Sequence, residues 1–153
     1  MLRTFLRTRT NLRTFSYFPR NSLLITLGGG VITDLGGFVA STYKRGIDFV
    51  NIPTTLLSMV DASVGGKTGV DLGTIKNQIG VINFSEMVLV DSYFLNTLPE
   101  NEINSGMAEM LKHGLIYDKA YWNTLTHLEN LDISDLALSK FETINESANF
   151  AFH

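Results

Sequence analysis

The chain alternates between two hydrophobic rhythms. Ser22 to Leu27 is a short apolar, β-branched run that ends at Gly28-Gly29-Gly30, the pattern of a buried strand entering a tight turn. Residues 31–44 then place Leu35, Phe38 and Val39 on one side of a helix, with Asp34 near its start. Ile47 to Ile52 predicts a second strand stopped by Pro53, followed by a helix from Thr54 or Thr55 to about Ala62. Residues 65–80 read as a glycine-rich loop, and Met87 to Asp91 as a third strand. After Pro99 the rhythm is helical, over roughly 99–116, 119–130 and 134–150. Strand–helix alternation followed by helices alone predicts an α/β domain over 22–98, with a parallel sheet, and the start of a helical domain over 99–153.

Composition sets limits on the chemistry. With 153 residues, 44% hydrophobic and 18% charged, the chain fits about one domain or a piece of a larger one. It has no cysteine, which excludes disulfides and thiolate metal sites; a metal must be held by Asp, Glu or one of His113, His127 and His153. No apolar run is long enough to span a membrane.

Charge divides the chain unevenly. Residues 1–22 carry five arginines and no acid, whereas the remainder carries seven bases against fifteen acids. Leu-Arg-Thr recurs at 2–4, 6–8 and 12–14. This Arg-rich leader, residues 1–21, is expected to be disordered. It resembles an organelle transit peptide; a wrongly assigned leader and a nucleic-acid arm are the other readings. The acidic remainder argues against nucleic acid as the main partner.

Three clusters carry candidate chemistry. A strand, three glycines and a helix start bring backbone N–H groups close to a phosphate, or simply make a tight structural turn. Asp61-Ala-Ser-Val-Gly-Gly-Lys67-Thr-Gly69, followed by Lys76-Asn77, sets two lysines and an aspartate around glycines. That suits a small anionic, hydroxylated ligand, or a solvated loop. It is not a Walker loop, because Asp61 stands where the first glycine would be. Glu109, Lys112 and His113 share one helix face; Glu109 and His113 could offer two metal ligands, or Glu109 and Lys112 a surface salt bridge. Tyr117, Tyr121 and Trp122 fit helix packing.

Taken together, LGGGVITDLGGFVASTYKRG (27–46), IPTTLLSMVDASVGGKTGVD (52–71), KNQIG (76–80), FLNTLP (94–99) and GMAEMLKHG (106–114) identify the chain as resembling 3-dehydroquinate synthase, a sugar-phosphate cyclase. The resemblance implies a dehydroquinate synthase-like α/β fold. It also implies NAD-dependent cyclisation of 3-deoxy-arabino-heptulosonate 7-phosphate to 3-dehydroquinate with loss of phosphate, a lyase reaction of aromatic amino acid biosynthesis. By the same resemblance Gly29, Gly30, Val31 and Asp34 contact the nucleotide, Thr54 and Thr55 the nicotinamide side, and Phe94, Leu95, Asn96 and Thr97 the adenosine side. Lys67 and Lys76 are shared between cofactor and substrate; Asp61, Asn77 and Lys112 contact substrate. Arg45 reaches the substrate phosphate across a homodimer interface. Glu109 is the first ligand of Zn2+ (or Co2+), and His113 falls at a position the family fills variously. The partners implied are a small sugar-acid phosphate and a second copy, with no nucleic acid and no membrane, in the cytoplasm.

Family members are more than twice this length. The expectation is therefore a central fragment lacking the two histidine zinc ligands, with an exposed sheet edge, uncovered apolar faces and little turnover alone. Another sugar-phosphate cyclase, or a non-catalytic fragment that binds a longer synthase chain, are the alternatives.

Overall fold

A computed structural model describes residues 18–126. Most of the leader and the helix expected over 134–150 lie outside them. Within them, β1 (Leu23–Gly28) leads through the glycine turn into α1 (Gly30–Thr42), and a short 3-10 turn (Tyr43–Arg45) returns the chain to β2 (Asp48–Pro53). β1 and β2 pair in parallel from Leu23↔Asp48 to Gly28↔Pro53, and β5 (Met87–Val88) pairs in parallel with β2. The three-stranded order is β1-β2-β5, the parallel α/β arrangement predicted from the alternation. Third-strand pairing is shorter than expected, although the Leu89 N–H still donates to the Asn51 carbonyl at 2.9 Å.

Residues 65–80 differ from the expected loop. They form most of an antiparallel hairpin of β3 (Lys67–Leu72) and β4 (Ile75–Ile82), closed by Gly73 and Thr74, with Gly73 at φ 64. The reason is the β-branched and apolar residues Val70, Leu72, Ile75, Ile79 and Val81, whose strand tendency outweighs the interspersed glycines. Gly69 and Gly80 sit directly opposite each other, where neither needs a side chain.

Helix α1 lies against β1 and β3 because Gly36 and Gly37 let it approach Thr26, Thr68 and Phe49 closely. Inside the sheet, the Thr26 hydroxyl donates to Oδ1 of Asn51 at 2.6 Å, satisfying two buried polar groups. The main apolar core lies on the helical side. Leu56, Met59 and Val60 meet Leu95, Met110 of α2 (Glu100–Ile116) and Leu125 of α3 (Lys119–Thr126). Gly106 is the contact point: a Cβ there would stand 2.5 Å from Cγ of Leu56. Tyr121 packs against this core, but Tyr117 is 78% exposed and so does not.

The opposite face of the sheet is open. Leu23, Ile25 and Leu27 alternate outward from β1 at 54–58% exposure, and Met87 and Leu89 are also exposed. With β1 at one edge of the described sheet, this is the expected uncovered apolar face.

Candidate functional site

The predicted nucleotide residues gather at the carboxyl end of β1 and β2. Gly29 precedes α1 in extended geometry (φ −76, ψ −174), and its carbonyl accepts from the N–H groups of Ile32 and Thr33. No side chain caps α1, which leaves the amides of Gly30 and Val31 at its start with the positive end of the helix dipole behind them. Across the turn, the Thr54 N–H donates to the Gly28 carbonyl at 2.9 Å. A Cβ on Gly29 would lie 3.0 Å from Cγ2 of Thr55, and one on Gly30 3.2 Å from Cβ of Ala62. The donor set and the missing Cβ atoms suit a dinucleotide pyrophosphate. Thr55 and Ser58 lock this edge: the Thr55 hydroxyl donates to Oγ of Ser58 at 2.9 Å, and the Ser58 hydroxyl to the Thr55 carbonyl at 2.9 Å.

Asp34 sits one turn into α1. Burial, and then the nearby Asp61 charge, push its carboxyl up to about 6 from 3.8. Asp61 itself comes from an unforeseen feature. Residues Ser58–Ala62 form a π-helical turn, with the Ser63 N–H donating to the Ser58 carbonyl at 3.0 Å. Such turns bulge the backbone outward and recur at functional sites. Here the turn sets Asp61 opposite α2, where one oxygen of Asp61, one of Glu109 and a ring nitrogen of His113 lie within 4.8 Å of one another.

On α2, the salt-bridge reading of the third cluster holds, and the helix also sets His113 beside Glu109. Lys112 forms an ion pair with Glu109, and Nε2 of His113 stands 3.1 Å from Oε1 of Glu109. Burial raises the Glu109 carboxyl, but the hydrogen bonds and charges of Lys112 and His113 outweigh it and hold it below its usual range. The Lys112 ammonium is held above its usual range, first by its hydrogen bond to Glu109. A carboxylate with an imidazole beside it fits a divalent ion of the zinc type.

Other predicted residues disperse. Lys67 is exposed at the base of the hairpin, beside a cavity of about 520 Å³ that also takes in Asn51, Ser63, Asn83 and Glu86. Lys76 and Asn77 lie near the hairpin tip, six residues further along β4 from the partner of Lys67, roughly 20 Å away. There the Asn77 N–H donates to Asp71 at 2.9 Å, with φ 53. In the 3-10 helix Ser92–Thr97, Leu95 is buried and Phe94 partly so against the core, while Asn96 and Thr97 are exposed. Arg45 (φ 74) is exposed at the other end of the sheet, between α1 and β2.

A parallel sheet whose glycine turn feeds a helix, followed by helices bearing a carboxylate–imidazole pair, is the α/β architecture of the dehydroquinate synthase-like sugar-phosphate cyclases. The fold matches 2-epi-5-epi-valiolone synthase from Streptomyces hygroscopicus subsp. jinggangensis 5008, solved with NAD+ and Zn2+ bound. That match has TM-score 0.78 and 30% identity, and covers 97% of this chain and 42% of that one. It also matches 2-deoxy-scyllo-inosose synthase complexed with carbaglucose-6-phosphate, NAD+ and Co2+, at TM-score 0.62 and 27% identity over 71% of this chain and 32% of that one. The sequence is 48% identical over 140 residues to 3-dehydroquinate synthase of Prochlorococcus marinus (strain MIT 9211), covering 90% of this chain and 38% of that protein. The profile of the 3-dehydroquinate synthase N-terminal domain matches residues 2–105, and the chain belongs to that family. It spans about a third of the length of the curated relatives it matches.

Proposed function

We propose that this sequence is the nucleotide-binding and adjoining helical part of a 3-dehydroquinate synthase. The reaction is NAD-dependent closure of 3-deoxy-arabino-heptulosonate 7-phosphate to 3-dehydroquinate with release of phosphate. The uncapped helix behind Gly29 and Gly30 carries the reading, because it is an anion cradle with Thr54 and Thr55 on its far wall. The family resemblance favours this substrate over those of other cyclases: identity reaches 48% to a 3-dehydroquinate synthase against 30% and 27% to the two cyclase structures.

In this reading the amides of Gly30 and Val31 hold the pyrophosphate, and the Thr55–Ser58 lock fixes the wall beside the nicotinamide. Asp34 faces the nucleotide. Phe94, Leu95, Asn96 and Thr97 support the adenosine side. Lys67 supplies a cation to cofactor and substrate, while Asp61 and Lys112 orient substrate hydroxyls and the carboxylate; Lys76 and Asn77, at the hairpin tip, stand outside this arrangement. Glu109 holds the metal. When bound, NAD supplies a reversible oxidation of a ring hydroxyl and Zn2+ or Co2+ polarises the reacting oxygens. A homodimeric assembly, a cytoplasmic setting and a place in aromatic amino acid biosynthesis belong to the same proposal. Among the described residues no helix is long and apolar enough to cross a membrane.

Urea unfolding of the chain with and without NAD tests the cradle. NAD at a hundred times its Kd is expected to add about 2.7 kcal/mol of stability. A transition indifferent to NAD refutes the assignment. A parallel assay of phosphate release is expected to show little turnover from the chain alone, because it spans only about a third of the length of the relatives it matches.

A further inference from the structure

Thr55 and Ser58 cap each other. The Ser58 N–H donates to Oγ1 of Thr55 and the Thr55 N–H to Oγ of Ser58, both at 3.2 Å, a reciprocal pair three residues apart. The hydroxyls add two further bonds. Ser58 gives its proton to the Thr55 carbonyl, and Thr55 gives its proton to Oγ of Ser58, each at 2.9 Å. A hydroxyl has one proton to donate and two lone pairs that accept. Ser58, fully buried, therefore has its proton and both lone pairs taken. Thr55 has its proton and one lone pair taken and keeps a single acceptor position. Its partly exposed side chain borders the glycine turn, where a Cβ on Gly29 would stand 3.4 Å from Oγ1 of Thr55.

We propose that Ser58 is a positioning residue that fixes the hydrogen-bond polarity of Thr55, so that this wall of the cleft accepts a hydrogen bond from the cofactor and does not donate one. The inference rests on the synthase reading, in which Thr55 faces the nicotinamide side. The group that this polarity selects is the carboxamide –NH2, whose N–H meets the remaining lone pair of Thr55. A cofactor offering only an oxygen there sets two acceptors against each other. Thr55 can turn its proton outward only by taking a partner away from the buried Ser58 hydroxyl, which is costly. A cap alone needs only the two bonds from the backbone N–H groups. The bond from hydroxyl to hydroxyl is the one that sets the direction.

The test is calorimetric titration of the full 153-residue chain with NAD and with 3-acetylpyridine adenine dinucleotide, in which a methyl group replaces the carboxamide –NH2. The parent is expected to bind this analogue about tenfold more weakly, or worse, than NAD. Ser58→Ala releases the Thr55 proton to donate to the analogue's carbonyl, and is expected to cut the preference to about threefold or less. Ser58→Cys fills the same buried space with a thiol that accepts only weakly, and is expected to lower the preference in the same direction. Loss of the cap alone would weaken both dinucleotides alike and leave their ratio where it was, and circular dichroism checks that each variant is folded. A parent that binds both equally, or a preference unchanged in both variants, overturns the positioning role while the NAD site stands. A parent that binds no NAD overturns the synthase reading, and this inference with it.

Discussion

Asp34→Asn is expected to stabilise the chain at neutral pH. The native carboxyl is raised to about 6 from 3.8, chiefly by burial and then by Asp61. The folded state therefore holds this proton more tightly than the unfolded one. That contribution is fully present below about pH 3.8 and is lost as pH rises through about 6, where the ionised group works against folding. A displacement of that size on a fully buried group is worth about 3 kcal/mol. Asp34 is only half-buried, so solvent screening reduces the expected gain from asparagine to about 1 kcal/mol. Urea unfolding followed by circular dichroism should show a higher midpoint with unchanged slope above the native pKa, and near coincidence with the parent at about pH 4. Asp61→Asn should flatten the pH dependence partly, since it removes the second cause and leaves burial. A variant less stable than the parent at neutral pH, or a difference independent of pH, would refute the reasoning. Because Asp34 is assigned to the nucleotide, the same change is expected to weaken NAD binding, stability and function being opposed at one residue.

Gly29→Ala keeps an allowed φ of −76 but sets its Cβ 3.0 Å from Cγ2 of Thr55, so it should cost about 1 kcal/mol in urea unfolding and lower NAD affinity tenfold or more, read as a reduced NAD-dependent stabilisation. Gly106→Val drives a side chain into Leu56 and the Leu57 backbone, and should cost about 2–3 kcal/mol in urea unfolding. Ile25→Lys, on the open face of β1, should change stability by less than about 1 kcal/mol while reducing self-association in analytical ultracentrifugation.

Local pattern carried the β1–α1–β2 unit and α2, because strand and helix periods are properties of short windows. The hairpin was hidden because Gly65, Gly66, Gly69, Gly73 and Gly80 interrupt an otherwise regular strand alternation. Only their placement, two facing each other and one in the tip turn, makes them compatible with strands. The neighbourhood of Asp61 and Glu109 was illegible for another reason. It depends on a π turn and on Gly106 bringing α2 down onto Leu56, and neither is a feature of one element's sequence. Spacing did place His113 beside Glu109, as the helix requires.

The same geometry separates two groups that the family resemblance assigns to one reaction. The glycine turn stands at the carboxyl end of β1, where open α/β sheets receive ligands. Arg45 stands beyond the far end of α1, whose 13 residues span about 20 Å. An arginine side chain reaches well under half that distance. A ligand seated between Gly29 and Glu109 is therefore beyond the Arg45 of its own chain, which is why the proposed role of this arginine depends on the proposed homodimer. The backbone there is held in a costly form, with Lys44 at φ 48 and Arg45 at φ 74 ahead of Gly46. That conformation turns the chain sharply out of α1 and leaves Arg45 exposed at the end of α1 opposite the glycine turn.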